Sequence, residues 1–393
     1  MHSTATTFFD HVLEGPPDPV FGMVSVLQAD PRPEKINLMV GTYHDEQLHK
    51  KLMPVIQKAK NALLPQDMLA DYLPMDGLGA LHTLVGEVLF GMSGWQERTY
   101  GAQTVGGTGA LRVGADFLAQ EVGRVVALPD PTWANHRAIF ERAGFEVKFV
   151  PYYDRAEHRF DVHKYLKALE SLAPKTVVLL HACCHNPTGS DPTEADWRAI
   201  SDVCKKKGLF PFFDVAYQGF GRGVTEDAFA VRLFLEQGHE MLVAYSCSKN
   251  LSLYCQRVGV LFAVCTSKET KQRVGSQIKR IIRAMVSNPP AHGAFLAAEV
   301  LKNHRAEWVQ ELDAMRKRIE TYRQQLAHKL PKQFHFITQH RGMFSYLDLT
   351  KAQVQTLIDK YAVYTLDSGR INVAGLNAAN LDRVAQCITH VVS

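Results

Sequence analysis

Short apolar runs alternate with amphipathic stretches through the middle of the chain. The runs are rich in β-branched residues and almost continuously apolar, which is typical of strands covered on both faces. We predict strands at residues 124–128, 146–150, 176–181, 209–215, 241–246 and 258–265. Helical patterns lie between them at residues 110–120, 134–143, 162–172, 194–207 and 226–237. This repetition predicts an α/β fold with a mostly parallel, doubly wound sheet.

The pattern changes near Ala291. Residues 291–330 form a long, charged helical region with apolar positions three or four apart, and a shorter α+β segment follows it to Ser393. We therefore predict a large domain over residues 46–300. A smaller domain would combine residues 1–45 with residues 301–393, joined by a long helix.

Composition and charge narrow the class of protein. The net charge of +4 comes from 44 basic and 40 acidic residues, which is too balanced for a nucleic-acid binder. No apolar run reaches the roughly 18–20 residues of a membrane span. The N-terminus lacks a signal-peptide pattern, and the seven cysteines lack framework spacing, so we expect reduced thiols and a cytoplasmic location. Neither a nucleic-acid partner nor a membrane partner is expected.

Lys249 follows an apolar strand, within a segment that also holds Ser246 and Ser248, and Arg257 lies eight residues later. A lone lysine is usually a solvated surface amine. At the end of a buried strand, however, a partly desolvated amine has a lowered pKa and can act as a Schiff-base nucleophile. The two hydroxyls and the arginine would suit a phosphate dianion.

Two further motifs point to the same chemistry. The segment GGTG at residues 106–109 precedes a helix, so Gly107 and Thr108 could form an anion site at its N-terminus; an ordinary tight turn is the alternative. Asp214 closes an apolar strand and is followed by Tyr217. A carboxylate there could cap the next helix or pair with a protonated ring nitrogen of a cofactor.

The remaining candidates each keep a structural alternative. Trp133 could be a core residue or a stacking platform, and Asn186 lies in a turn where its amide can hydrogen-bond. In a strand, residues 181, 183 and 185 of HACCH would share one face, but no second ligand pair has zinc-like spacing, so we predict no metal. Arg283 and Arg370 stand in apolar contexts as structural ion-pair partners or as carboxylate clamps.

Seven motifs together identify a family resemblance. In chain order they are GGTGALRVGADFL, PTWANH, HACCHNPTG, FDVAYQGFGRG, SCSKNLSLYCQRVG, SNPPAHG and SGRINVAG. The chain resembles the class I aspartate/aromatic aminotransferases, which use pyridoxal 5′-phosphate, from residue 17 to the C-terminal region. The resemblance implies a fold-type I architecture, with a large cofactor domain and a small domain from both termini, and a homodimer with shared active sites.

The resemblance also implies a role for each candidate. Lys249 would bind the cofactor as a Schiff base and move the substrate proton, and Asp214 would pair with the pyridinium nitrogen. The resemblance implies that the other cofactor contacts are Tyr217 and Asn186 at the ring oxygen, Trp133 on the ring face, and Gly107, Thr108, Ser246, Ser248, Arg257 and the neighbouring subunit's Tyr72 at the phosphate.

Substrate contacts and supporting residues follow in the same way. The resemblance implies that Arg370 and Gly41 contact the α-carboxylate and that Arg283, from the other subunit, contacts the distal carboxylate of aspartate or glutamate. Trp133 and Asn186 would also border the substrate. His136 would support Asp214 from behind, with His181 near the same site.

The leading hypothesis is amino-group transfer from an L-amino acid, with aspartate as the best single choice, to 2-oxoglutarate by a ping-pong mechanism. A broad-specificity or aromatic enzyme acting on tyrosine and phenylalanine is the alternative. In its favour, residues 47–51 read QLHKK, where the family usually has a Gly-Lys-Thr-Pro segment, and Asp71 precedes Tyr72, where an amide is common. A non-catalytic binding protein would require loss of Lys249 or Asp214. A lyase or decarboxylase fits two carboxylate-binding arginines less well.

Overall fold

The computed structural model describes residues 8–16, 18, 21–64 and 71–393. The stretches 1–7, 17, 19–20 and 65–70, which belong to the predicted small and large domains, lie outside the described residues. Among the residues that are described, no helix has the length and apolar character needed to cross a membrane.

In the part of the chain that the structure describes, seven strands have five to seven residues each, and the other six have two or three. In chain order they are β1 Ile36–Asn37, β2 Thr99–Val105, β3 Val125–Asp130, β4 Glu146–Pro151, β5 Tyr153–Asp154, β6 Arg159–Phe160, β7 Val177–His181, β8 Phe210–Val215, β9 Met241–Ser246, β10 Val258–Val264, β11 Phe344–Tyr346, β12 Val363–Tyr364 and β13 Arg370–Asn372.

The helices separate these strands and cover the sheet. They are α1 Phe21–Ala29, α2 Pro54–Leu63, α3 Gly79–Phe90, α4 Gly106–Glu121, α5 Asn135–Arg142, α6 Val162–Ser171, α7 Glu194–Lys207, α8 Phe229–Glu236, α9 Lys268–Val286, α10 His292–Asn303, α11 Arg305–Lys329, α12 Lys351–Tyr361 and α13 Leu381–Val392. Short 3₁₀ helices occupy Glu226–Ala228, Lys332–Gln339 and Val373–Gly375.

The central sheet has the order β2-β10-β9-β8-β7-β3-β4. β10 runs antiparallel to both of its neighbours, β2 and β9, and the other four pairings in this sheet are parallel, so the predicted α/β fold with a mostly parallel sheet is confirmed. Every residue of β7, β9 and β10 is buried, as their continuous apolar character predicts. All six predicted strands are present, and the seventh, β2, was not predicted.

Register brings the candidate residues to one edge of this sheet. His181 at the end of β7 is paired with Asp214 of β8, and Ser246 at the end of β9 is paired with Gly259 of β10. In parallel strands the carboxyl ends meet at a common edge, where α/β proteins bind ligands.

The two ends of the chain meet in two small sheets. Strand β1 pairs with β12 in parallel, and β11 pairs with β13 in antiparallel fashion. The helical region predicted at 291–330 consists of two helices, because the backbone leaves the helical conformation at His304, where φ is −133°. After this break, Trp308 of α11 is fully buried and its indole N–H donates to the Asn250 carbonyl at 2.6 Å.

Candidate active site

A chain of hydrogen bonds lies behind the carboxylate of Asp214. His136 Nε2 is 3.0 Å from Asp214 Oδ2, and His136 Nδ1 is 2.9 Å from Thr132 Oγ1. The same hydroxyl is 3.1 Å from His181 Nε2. We call these four residues, Asp214, His136, Thr132 and His181, the Asp214 hydrogen-bond chain.

Both ends of this chain determine where its protons lie. At one end the backbone N–H of Asn186 donates to His181 Nδ1 at 3.4 Å, so the proton of a neutral His181 is on Nε2 and points to Thr132. Burial lowers the pKa of His181 to about 3, which keeps the ring neutral. At the other end His136 Nε2 must donate, because an ionised carboxylate only accepts. The Thr132 hydroxyl is then free to donate to His136 Nδ1.

Asp214 is ionised despite its burial. Desolvation opposes its charge, but the hydrogen bond from His136, with the charge of Lys249 adding to it, outweighs desolvation and lowers the pKa of Asp214. The result is a fixed negative charge at the sheet edge. A protonated ring nitrogen is the kind of partner that such a charge stabilises.

Lys249 lies just after β9, with Nζ 5.1 Å from the centre of the Tyr217 ring. Burial lowers the pKa of the amine to about 8, the charge of Asp214 opposes this shift, and the charges of Arg257 and Arg370 add to it. About a tenth of this amine is therefore neutral at pH 7, far more than for a lysine with its ordinary pKa, and the neutral form is the Schiff-base nucleophile. Burial also raises the pKa of Tyr217, so its hydroxyl stays protonated and able to donate.

Small residues and hydroxyls lie near the N-terminus of α4. We call Gly107, Thr108, Ser246, Ser248 and Arg257 the anion cradle. This helix begins at Gly106, and a Cβ on Gly107 would lie only 2.9 Å from the Cβ of Ser246. Arg257 donates through Nη1 to Ser248 Oγ at 3.3 Å. Residues 106–109, for which we predict an anion site, therefore lie at a helix N-terminus, where backbone N–H groups and the helix dipole would favour a phosphate.

Arg370 is buried beside Asn186. Its Nη1 donates to Asn186 Oδ1 at 3.0 Å, its Nη2 donates to the Met39 carbonyl, and its guanidinium carbon is 4.1 Å from the centre of the Phe344 ring. Its Nε has no hydrogen-bond partner among the described residues. A buried, incompletely paired guanidinium is costly, and a carboxylate ligand would complete it. Gly41 packs here too, since a Cβ on it would lie 2.7 Å from Phe344.

Two other predicted residues border the same edge. Trp133 is half-buried, and its ring meets that of His136 edge-on at 5.1 Å. Thr108, in the first turn of α4, is also half-buried.

Tyr72 and Arg283 lie apart from these residues, on the surface. Tyr72 is 85% exposed, and the exposed Arg283 donates to Ser287 Oγ at 2.6 Å. The two segments are joined, because Asn288 Nδ2 donates to the Leu73 carbonyl at 2.7 Å. Both residues are therefore exposed and lie on segments that contact each other.

The buried cysteines bring other possible metal ligands together. Ligand atoms of Cys183, Cys184 and Asp227 lie within 4.8 Å of one another. The Asp227 carboxylate, however, already accepts the backbone N–H groups of Gly219, Gly221 and Arg222 at 2.8–2.9 Å. Its role in closing that loop accounts for its position.

Sequence reasoning missed two residues of this site. Thr132 links the two histidines, and Phe344 supports Arg370 and meets Tyr217 at 5.7 Å between ring centres. PTW at residues 131–133 did contain Thr132, but a single hydroxyl in a loop has no periodicity to distinguish it. Phe344 lies in a strand of three residues, and its apolar character indicates only a core position.

A desolvated amine, a buried carboxylate and a helix N-terminus flanked by serines and an arginine lie at one sheet edge, and together they could hold a phosphorylated aromatic cofactor with a protonatable nitrogen. Comparison with known proteins identifies a family whose members bind such a cofactor. Residues 33–388 match the family model for aminotransferase class I and II. The chain is 44% identical to the aspartate aminotransferase of Pseudomonas aeruginosa, covering 98% of this chain and all of that one. It is 42% identical to the aromatic-amino-acid aminotransferase of Escherichia coli, covering 95% and 98% of the two chains.

A solved structure has the same fold. The aromatic-amino-acid aminotransferase of Burkholderia pseudomallei, covalently bound to pyridoxal phosphate, superposes with a TM-score of 0.95 at 43% identity, over 99% of this chain and 100% of that one. The chain belongs to the class I and II aminotransferase family. It is a transaminase of fold type I that uses pyridoxal 5′-phosphate.

Proposed function

We propose that this enzyme transfers the amino group of an L-amino acid, with aspartate preferred, to 2-oxoglutarate in two half-reactions. Buried Arg370 carries the proposal: its guanidinium is incompletely paired and lies at the same sheet edge as Lys249. We assign it the α-carboxylate, with the backbone at Gly41 beside it. The charge-assisted bond would hold the α-carbon within reach of the amine.

The residues of the edge would hold the cofactor as follows. Lys249 would bind it covalently, Asp214 would face the ring nitrogen, Tyr217 and Asn186 would donate to the ring oxygen, and Trp133 would cover one face. The phosphate would lie in the anion cradle, bound by Gly107, Thr108, Ser246, Ser248 and Arg257. When bound, pyridoxal phosphate supplies a ring that withdraws electrons from the substrate α-carbon.

Lys249 and Asp214 then have different tasks. The Lys249 amine, with its pKa lowered to about 8, would move the proton on and off the α-carbon. Asp214 would keep the ring nitrogen protonated, and the Asp214 hydrogen-bond chain would hold its carboxylate in place. Each histidine would act through the next residue of that chain rather than on the substrate.

We propose a homodimer with shared active sites. The surface with Tyr72 and Arg283 also exposes Met75, Met285 and Val286, each 38–40% exposed. Burial of such apolar side chains against a second copy would bring Tyr72 to the partner's phosphate site and Arg283 to its substrate. Arg283 would then bind the distal carboxylate of aspartate, which is the reason for preferring this donor.

The domain division at 46–300 is part of the same proposal. The pairing of β1 with β12 supports it, since it joins the N-terminal segment to the C-terminal part. All seven cysteines are free thiols, which fits a reducing compartment such as the cytoplasm. The expected partners are amino acids and 2-oxo acids, without a nucleic acid or a membrane.

The loop at residues 45–51 favours a second candidate, an aromatic or broad-specificity enzyme. Asp45 forms an ion pair with Lys51 at 3.3 Å, and Lys50 is exposed. Glu46 accepts hydrogen bonds from Tyr322 and Arg318 at 2.5 and 3.2 Å. This loop is therefore attached at its acidic pair while the residues that depart from the family pattern face outward.

The visible absorbance of the bound cofactor distinguishes the candidates. Aspartate and tyrosine are added to separate samples of the holoenzyme, without any oxo acid. Conversion by aspartate alone supports the aspartate enzyme, and conversion by both at comparable concentrations supports the broad-specificity enzyme. Lys249→Ala is the control, which should abolish turnover. If this variant keeps activity within about tenfold of the parent, the assignment of Lys249 is wrong.

A further inference from the structure

The turn between β7 and α7 is closed by a carboxylate that has no assigned role. Asp191 accepts the backbone N–H of Cys184 on Oδ2 at 2.7 Å and that of His185 on Oδ1 at 2.8 Å. Both oxygens are thus used on two consecutive N–H groups. The residue that follows them in the chain is Asn186.

Asn186 connects this turn to two parts of the active site. Its backbone N–H donates to His181 Nδ1, and its side-chain oxygen accepts from Arg370 Nη1 at 3.0 Å. The orientation of the Asn186 amide therefore depends on the backbone that Asp191 holds. A rotation of this turn would move the oxygen away from the guanidinium.

The turn needs such an anchor. Cys184 has φ of +53°, a left-handed conformation that is unfavourable for a residue with a Cβ. Burial raises the pKa of Asp191 to about 6, and the two N–H bonds oppose this shift. The carboxylate is still ionised at neutral pH, so the fold keeps a half-buried charge here, held by two charge-assisted hydrogen bonds.

We propose that Asp191 is a positioning residue for the substrate carboxylate, acting through the Cys184–His185 backbone and Asn186 on Arg370. The proposal rests on the role proposed above for Arg370. It assigns Asp191 no contact with the substrate or the cofactor. Its effect should appear in substrate binding much more than in the chemical step.

Asp191→Asn tests this, because an amide has one oxygen and leaves one of the two N–H groups without an acceptor. The holoenzyme is titrated with succinate, an unreactive dicarboxylate, by calorimetry. We expect the dissociation constant of succinate and the KM of aspartate to rise about tenfold, the effect of weakening one charge-assisted bond. We expect kcat to change by less than about threefold. If Asp191→Asn does not fold, Asp191→Ser, whose hydroxyl accepts one N–H, is used in the same way.

Glu311→Gln is the matched control, since Glu311 is also a half-buried carboxylate that accepts a backbone N–H, that of Val55 in α2, on both of its oxygens. It should lower stability to a similar degree and leave the succinate dissociation constant within about twofold. An equal weakening of succinate binding by both variants would overturn the proposal, because it would indicate general loosening.

A double-mutant cycle tests whether Asp191 acts through Asn186. In an Asn186→Ala background, Asp191→Asn should weaken succinate binding by less than about twofold further, because the residue it acts through is absent. If the two substitutions weaken succinate binding independently, so that their fold-changes multiply, Asp191 does not act through Asn186.

Arg370→Lys distinguishes a failure of this inference from a failure of the role proposed for Arg370. If this variant binds succinate as the parent does, the role of Arg370 is wrong; if it binds weakly while Asp191→Asn binds normally, only the inference about Asp191 is wrong.

Discussion

Lys249 should lower the stability of the cofactor-free chain, and its replacement by methionine should raise it. The amine is buried, and desolvation lowers its pKa from 10.5 to about 8. A shift of one pKa unit corresponds to about 1.36 kcal/mol, so the protonated amine costs the folded state about 3 kcal/mol. Methionine has a similar length and carries no charge. We therefore expect Lys249→Met to raise the free energy of unfolding by about 2–3 kcal/mol at pH 7.

The sign of the pH dependence follows from the lowered pKa. Below about pH 8 the amine is protonated in both states, and the folded state bears the full cost. Between about pH 8 and 10.5 only the unfolded chain binds the proton, so the stability of the parent rises with pH. The advantage of Lys249→Met should be complete at pH 7 and disappear as the pH approaches 10.5.

Urea denaturation at several pH values measures this difference. Both proteins are first freed of cofactor, because a covalently bound lysine has no ammonium group to titrate. Lys302→Met, at an exposed position of α10, is the control and should change stability by less than about 0.5 kcal/mol. A gain that is the same at pH 7 and at pH 10.5, or no gain at all, would refute the argument that burial sets this pKa.

Three other substitutions test the site. Thr132→Val removes the shared hydroxyl of the Asp214 hydrogen-bond chain. It should lower the free energy of unfolding, measured by urea denaturation, by about 1–3 kcal/mol. Thr132→Ser keeps the hydroxyl and should have most of the stability of the parent. Gly107→Ala places a Cβ against the neighbouring serine and should weaken pyridoxal phosphate binding about tenfold or more, measured by equilibrium dialysis; unchanged binding would contradict the cradle. Arg283→Leu should lower kcat/KM for aspartate by about 10- to 150-fold and for tyrosine by less than about threefold. The control is Arg280→Leu, at an exposed position of the same helix. Equal losses for both substrates would show that Arg283 is structural.

The sheet was predictable where burial is complete on both faces. β7 and β9 are apolar up to their last residues, His181 and Ser246, and a run of this kind is typical of a strand in the interior. β2 was missed because its sequence, TYGAQTV, is polar. It is buried nevertheless, since the amide of Gln103 donates to the Pro290 carbonyl at 2.7 Å and its oxygen accepts the N–H of Leu78 at 3.0 Å. Such partners are distant in sequence, so composition alone cannot reveal them.

The candidate site also contains residues whose positions the sequence predicts and residues whose surroundings it does not. The positions of Asp214 and Lys249 were predictable from a local rule, since Asp214 lies near the end of an apolar strand, Lys249 lies just after one, and strand ends meet at one edge. The surroundings of Arg370 were not predictable in this manner. They depend on the Met39 carbonyl, from the other end of the chain, and on Phe344, which a cross-strand pairing places near it. Motif resemblance supplied the role of Arg370 and left its contacts open.

Tyr72 and Arg283 show how the proposed dimer would link assembly to specificity. The hydrogen bond from Asn288 to the Leu73 carbonyl joins the segments that carry them. The two residues would therefore enter the partner's site as one unit, Tyr72 at the phosphate and Arg283 at the distal carboxylate. Because Met285 and Val286 follow Arg283 on α9 and are exposed, the contact that buries them would also fix the direction of the guanidinium. Selection between dicarboxylate and aromatic donors would thus depend on the packing between subunits as well as on the residues around Lys249.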